Sequence, residues 1–344
     1  MKMRRISILF VVLIFISGCR SEQSREVATQ EATILPALHE QEFTELPQDQ
    51  ERPLVLGFSQ VGSESAWRAA NTKSIKEAAK QASVELLFED AQQKQENQIQ
   101  AIRSFITRRV DVIGFSPVVE SGWEEVLKEA KDAGIPVIIT DRSVNVADPS
   151  LYITLIGSNF TEEGRKAGKY VLDKMRLVRG PIQIAEIQGT LNSAPAIDRK
   201  KGFEEMISRN PAMSIVASDT GDFTRESGKA IMTGYLKKYG KDIQVLYSHN
   251  DDMAFGAIEA IEEAGLRPGN DIVIVSVDGG KEAFQAMLAG KLNCTVECNP
   301  LLGPQLIQAA KEVVAGHTLP KRIVTREGVF TKGTAARAIE NRKY

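Results

Sequence analysis

Cysteine and histidine are scarce in this 344-residue chain, three of each, and their placement offers no recognisable metal-ligand set. No metal, and no other cofactor, is therefore expected. Charge of one sign is lacking too: Lys and Arg number 43 against 45 Asp and Glu, a net charge of −2. So even a balance projects no long-range field for nucleic acid or an anionic bilayer. No apolar run reaches the ~20 residues that a membrane-spanning helix needs. The length itself suits two domains of ordinary size. Two cysteines, Cys294 and Cys298, lie four positions apart. On an extended strand that spacing places them ~13 Å apart, beyond the ~7 Å limit for bridged Cα atoms. Free, mostly buried thiols are expected.

The N-terminus carries the strongest single pattern. Lys2, Arg4 and Arg5 precede an apolar run from Ile6 to Ile16, and Ser17-Gly18-Cys19 follows. A charged start, a short greasy centre and a small-residue exit read as an export signal. Ile16-Ser17-Gly18-Cys19 resembles the bacterial lipobox, which implies a lipidated Cys19 as the new N-terminus and attachment to the membrane by that anchor only. The other reading, an uncleaved anchor helix ending in an incidental cysteine, has the same consequence. The remainder works outside the cytoplasmic membrane, where reactions that need ATP, NAD or DNA are disfavoured. Residues 20–51 are polar and rich in Glu, Gln and Ser, a composition too poor in apolar groups to fold and suited to a tether.

Beyond Pro53 short apolar runs alternate with helix-length amphipathic segments. Strands are predicted at Leu54–Ser59, Val84–Glu89, Val112–Ser116, Pro136–Thr140 and Tyr152–Gly157, with helices at Trp67–Gln81, Gln95–Arg108 and Gly122–Ala133 between them. The alternation restarts at Ile182–Ile187, Ile215–Ser218, Gln244–Ser248 and Ile272–Val277, with helices such as Arg225–Tyr239 and Met253–Ala264. Such repetition argues an α/β protein with two similar, doubly wound parallel-sheet lobes. Thr295–Glu297, a helix at Pro304–Ala315 and a last strand at Ile323–Thr325 would complete the lobes. The backbone would then pass between them three times.

Ligands of open parallel sheets bind at the carboxyl ends of the strands. The residues found just there are Glu64, Trp67 and Arg68 after the first strand, Asp141-Arg142 after the fourth, Asp198-Arg199, Phe223, Asn250, and Asp278. Taken singly, an Asp or Asn there caps the next helix, an aromatic belongs to a core, and an Arg is a solvated charge. An Arg in a first helical turn is electrostatically unhelpful, however, and the pattern recurs at six strand ends. Carboxylates that accept, guanidinia that donate and flat aromatic faces form the set that a sugar demands: each hydroxyl both gives and takes a hydrogen bond, and the C–H face packs on a ring. Charge-assisted bonds are about twice as strong as neutral ones, and equal numbers of acids and guanidinia suit an uncharged ligand.

Several long stretches then carry a resemblance: Gly57 through Ser65, Gln92 through Ile99, Leu127 through Ala133, Ile197 through Phe203, Gly221 through Arg225 and His249 through Met253. From Pro53 onward the chain resembles the periplasmic sugar-binding proteins of ABC importers, of the ribose/galactose-binding type, and within them the galactofuranose binders. The resemblance implies a periplasmic binding protein type I fold, two lobes closing on a monosaccharide over a three-strand hinge. Residues 52–158 with 298–317 would form the N-terminal lobe, and 159–297 with 318–344 the C-terminal lobe. By position it implies sugar contacts from Glu64, Ser65, Ala66, Trp67, Arg68, Asp141 and Arg142 on one side and Arg199, Phe223, Asn250 and Asp278 on the other, with Glu297 near the hinge. Ala66 stands where those binders have Gly. The implied partners are the sugar and an ABC permease in the membrane, with no nucleic acid, for a monomer without catalysis. Three other readings stay open: a receptor feeding a histidine kinase or chemoreceptor; a sugar-responsive transcription regulator, which would need a DNA-reading module where the signal lies; and a glycan hydrolase built on two of Glu64, Asp141 and Asp278.

Overall fold

Runs such as Val112–Phe115 and Val137–Thr140 lack polar alternation, so strands made of them need cover on both faces. The computed structural model, which describes residues 52–344, buries every residue of both. The lipidation residue Cys19, the signal and the tether lie outside the described residues.

The first lobe begins with β1 (Val55–Gln60), α1 (Ala66–Gln81), β2 (Glu85–Asp90), α2 (Gln95–Thr107), β3 (Val112–Phe115), α3 (Glu124–Asp132), β4 (Val137–Thr140) and β5 (Thr154–Gly157). The second holds α4 (Phe160–Met175), β6 (Ile182–Gln188), α5 (Ala194–Ile207), β7 (Met213–Thr220), α6 (Arg225–Tyr239), β8 (Ile243–Ser248), α7 (Asp251–Glu263), β9 (Val273–Asp278), α8 (Lys281–Leu288) and β10 (Cys294–Glu297). The chain returns to the first lobe for α9 (Gly303–Val314) and β11 (Arg322–Val324), then to the second for β12 (Val329–Thr331) and α10 (Lys332–Ala338). The two six-stranded sheets run β11-β5-β4-β3-β1-β2 and β12-β10-β9-β8-β6-β7.

Alternate side chains of one strand feed opposite layers. In β4, Val137 and Ile139 join Phe115, Trp123 and Leu155 on one face. Ile138 joins Phe58, Ile75 and Leu306 on the other. In each sheet the strand order reverses beside the first strand of its lobe, β1 or β6. That reversal opens a crevice at the carboxyl ends, where the loops after β1, β4, β8 and β9 emerge.

Three segments cross between the lobes: 158–159, 298–302 and 325–328. The last one corrects the expected boundary at residue 317. β11 is hydrogen-bonded in parallel to β5, with Ile323 opposite Ile156, so it extends the first sheet. β12, unforeseen in the sequence, pairs antiparallel with β10 through Cys294–Thr331 and Val296–Val329. β11 matches the strand predicted at Ile323–Thr325 but its sheet is not predicted, whereas β12 has three residues, too few for a readable period.

One helix contact sets up the site. A Cβ on Gly164 would stand 2.1 Å from the Arg199 carbonyl oxygen, and one on Gly202 2.0 Å from that of Thr161. The two glycines let α4 and α5 touch backbone to backbone, which brings the neighbouring residue on α4, Glu163, within reach of Arg199.

Candidate functional site

Loops from both lobes converge on one cleft, lined by Glu64, Ser65, Trp67, Arg68, Asp141, Arg142, Pro195, Arg199, Phe223, Asn250, Asp278 and Cys298, around about 290 Å³ of empty space continuous with solvent. Ten of the twelve residues proposed from the sequence are therefore brought together. Ala66 and Glu297 are not. The Ala66 N–H, in the first turn of α1, donates to Asp252 Oδ2 of the other lobe at 3.0 Å. Glu297 turns toward the C-terminus, where Oε1 pairs with Arg342 Nη1 at 2.6 Å and Oε2 accepts from Gly328 N at 2.8 Å. Sequence reasoning missed Pro195 and Cys298. Pro195 precedes Arg199 by one helical turn, and Cys298 follows β10, so the strand-end rule covers the second.

On the first lobe, Arg68 is the hub. Ser65 caps α1 by accepting from Arg68 N at 3.1 Å, and the side chain then reaches Glu64 Oε1 at 3.1 Å and Asp141 Oδ2 at 2.8 Å. Gln60 Oε1 and Ser116 Oγ accept from its Nη1 at 3.2 and 3.4 Å. Arg142 donates to Val118 O at 3.1 Å and passes 3.8 Å from both Glu64 and Asp141. Its Nε and the Glu64 Oε2 are buried with no partner. A buried donor and a buried acceptor left open on two residues of the cleft lining are what a hydroxyl group fills. Burial pushes Glu64 up, but Arg68 and Arg142 outweigh it and hold the carboxyl below its ordinary value. Burial and the nearby Arg68 pull Arg142 down to about 10, so it stays charged at neutral pH.

On the second lobe, Arg199 donates from Nε to Glu163 at 2.7 Å and from Nη1 to the His249 carbonyl at 2.6 Å. Asn250 caps α7 by accepting from Met253 N at 3.0 Å, and its Nδ2 donates to the Phe223 carbonyl at 3.0 Å. The turn that follows Asp278 is held by Asp251, which accepts from Gly279 N and Gly280 N at 2.9 Å each. Burial, reinforced by Asp251, raises Asp278 well above the ordinary aspartate range. Asp251 and Glu163 were also missed. Both read as ordinary helix charges in sequence, and only the small residues beside Glu163 hint otherwise.

Three cleft residues adopt left-handed backbone: Asp141 at φ 61°, Phe223 at φ 63° and Asp278 at φ 126°. Each such residue costs about 1–3 kcal/mol, and strain of this kind gathers at functional sites. Here it turns each side chain into the cleft at the end of its strand or turn.

Cys294 and Cys298 are free and buried. Cys298, Glu163 and Glu327 bring one ligand-type atom each within 4.8 Å of one another. Arg199 already holds Glu163 at 2.7 Å, so a dication there would face a guanidinium.

Two α/β lobes with a polar cleft at the carboxyl ends of both sheets define a class of two-lobed receptor. The chain belongs to the periplasmic binding protein domain family, which matches residues 56–318. The galactofuranose-binding protein YtfQ of Escherichia coli (strain K12) is 45% identical over 295 residues, spanning 85% of this chain and 92% of that protein. A crystal structure from Mycobacterium smegmatis in complex with β-D-fucofuranose is 55% identical, with a TM-score of 0.83 over 85% of this chain and 95% of that one. The binding component of the arabinose ABC transporter from Shewanella sp. ANA-3, bound to α- and β-L-arabinofuranose, is 50% identical, with a TM-score of 0.81 over 84% of this chain and 95% of that one.

Proposed function

We propose that this chain is the extracytoplasmic sugar-binding component of an ABC importer and takes a monosaccharide in the furanose form, galactofuranose first, between its lobes. The observation that carries the reading is the convergence of three carboxylates, three guanidinia, Asn250 and two aromatic faces from both lobes on one cleft. Carboxyl groups and guanidinia stand there in equal number, which supplies both acceptors and donors for the hydroxyls of a polyol. The furanose ligands of the similar structures support the ring form. Binding works by differential affinity: both halves of the site meet the sugar only in the closed form, so the sugar shifts the population toward closure and the permease recognises that form. The chain has no catalytic role in this reading, because Glu64 and Asp141 are both committed to Arg68. It acts as a monomer held to the membrane by lipid on Cys19. Among the described residues no helix is long and apolar enough to cross a membrane.

Isothermal titration with galactofuranose, galactopyranose, ribose and arabinose tests the reading. Tightest binding of galactofuranose, with no turnover, is the expected result. Absence of binding to all four at millimolar concentration would overturn it.

A further inference from the structure

Glu163 projects from α4 into the junction where the three inter-lobe segments meet. It is fully buried. Its Oε2 accepts from Arg199 at 2.7 Å, and its Oε1 has no donor. Glu327, on the third inter-lobe segment, brings a carboxylate oxygen within 4.8 Å of a Glu163 oxygen. Glu327 Oε1 is richly served: it accepts from Thr325 Oγ1 at 2.8 Å, from Asn299 N at 3.2 Å and from Ser158 Oγ. These three donors come one from each crossing segment. The junction thus surrounds a Glu327 oxygen with three donors and leaves Glu163 Oε1 bare. A buried oxygen without a donor, beside a like charge, is satisfied when it carries the proton itself and donates.

We propose that Glu163 and Glu327 share one proton, resting on Glu163, and that this half-neutral pair positions Arg199 in the cleft and couples ligand affinity to pH. The proposal rests on the reading of the cleft as a sugar site. With the proton in place, Arg199 keeps its Nε on a neutral acid and its guanidinium free to polarise toward the ligand. Without the proton, two carboxylates repel across segments that must come together on closure, and a full ion pair draws Arg199 back onto α4.

The charged and titratable neighbours agree with that state. Arg199 of α5 bonds Glu163, Cys298 beyond β10 and Glu327 lie beside it, and Tyr247 of β8 and Asp278 of β9 are near enough to feel its charge. Arg322 of β11 faces Glu327. Burial raises Tyr247 and Cys298 well above their ordinary values, so neither is an anion at neutral pH. Burial, opposed by Arg199 and reinforced by Glu327, pushes Glu163 up to about 8. A carboxyl raised on folding contributes stability that is whole below its unfolded value, about 4.5, and is lost as pH rises through about 8.

The test compares wild type, Glu163→Gln and Glu327→Gln. Galactofuranose affinity of the wild type should fall about tenfold from about pH 7 to about pH 9. Glu163→Gln copies the protonated acid and should bind at neutral pH within a few-fold of wild type while losing that step. Glu327→Gln removes the neighbouring like charge and should move the step to a lower inflection pH. An unchanged pH slope in Glu163→Gln, or a loss of binding beyond about tenfold at neutral pH, would overturn the proposal. Infrared difference spectra of the ligand-free protein give an independent readout: a protonated-carboxyl band that titrates away in alkali and is missing in Glu163→Gln. If that band is present but no sugar binds, the cleft reading fails and the shared proton stands. If sugar binds and the band is absent, the shared proton fails.

Discussion

The Arg142 guanidinium of the first lobe lies 5.2 Å over the Phe223 ring of the second. The contact crosses the cleft, so it exists only when the lobes are together. Phe223 is seated on Gly189, where a Cβ would come within 1.9 Å of the ring. Truncating the ring should therefore remove both a ligand face and an inter-lobe contact. Phe223→Ala is expected to weaken sugar binding by about 2–3 kcal/mol, roughly 30- to 150-fold. Phe223→Leu, which restores area without a π face, should fall between. Calorimetric titration checks both, and equal affinities for the three proteins would show that the ring plays no part.

Asp252 lines, with Ala66 and Trp67, a second pocket that shares Trp67 and Asp278 with the cleft. Its carboxylate accepts the free N–H of Ala66 from the opposite lobe, acting as a cap supplied in trans. Asp252→Ala should shorten the lifetime of the closed complex about fivefold, the equivalent of one hydrogen bond of about 1 kcal/mol. Association should be unaffected. Stopped-flow tryptophan fluorescence reports the two rates separately, and a change confined to association would contradict this role.

Gly164 and Gly234 make a matched pair of tests. Both lie within helices, but a Cβ on Gly164 would strike the Arg199 carbonyl at 2.1 Å while one on Gly234 would meet nothing within 4 Å. Gly164→Ala should destabilise the fold by about 2–3 kcal/mol by forcing α4 from α5, and it should weaken sugar binding as Arg199 shifts. Gly234→Ala should gain about 0.5–1 kcal/mol from helix propensity alone. Urea unfolding measures both.

The alternation of short apolar runs and amphipathic segments makes the two sheets legible in the residues themselves, because parallel strands covered on both faces cannot hide their composition. The strand-end rule likewise finds Arg68, Asp141, Arg142, Arg199 and Asp278, each of which lines the cleft. What escapes it depends on contacts between distant elements. Glu163 follows Glu162 on α4, and apart from the small residues beside them nothing local separates the half-buried charge from the buried one. Asp251 looks like a first-turn helix acid, yet its partners are Ser276, Gly279, Gly280 and Thr295. Ala66 and Glu297 are placed by position along a resemblance, and their neighbours Asp252 and Arg342 decide otherwise. β11 joins the first sheet because β5 leaves an open edge there, which pattern alone does not assign.

Trp67 presents one face of the cleft, yet its indole N–H is bonded to the Cys298 carbonyl at 2.7 Å, and Asn71, one turn along α1, donates to the Pro300 carbonyl at 2.9 Å. Both acceptors belong to the second crossing segment, about which the lobes would swing. A side chain moored at the pivot sweeps through almost no arc, so the indole plate stands ready for the first encounter, and the journey falls to Phe223.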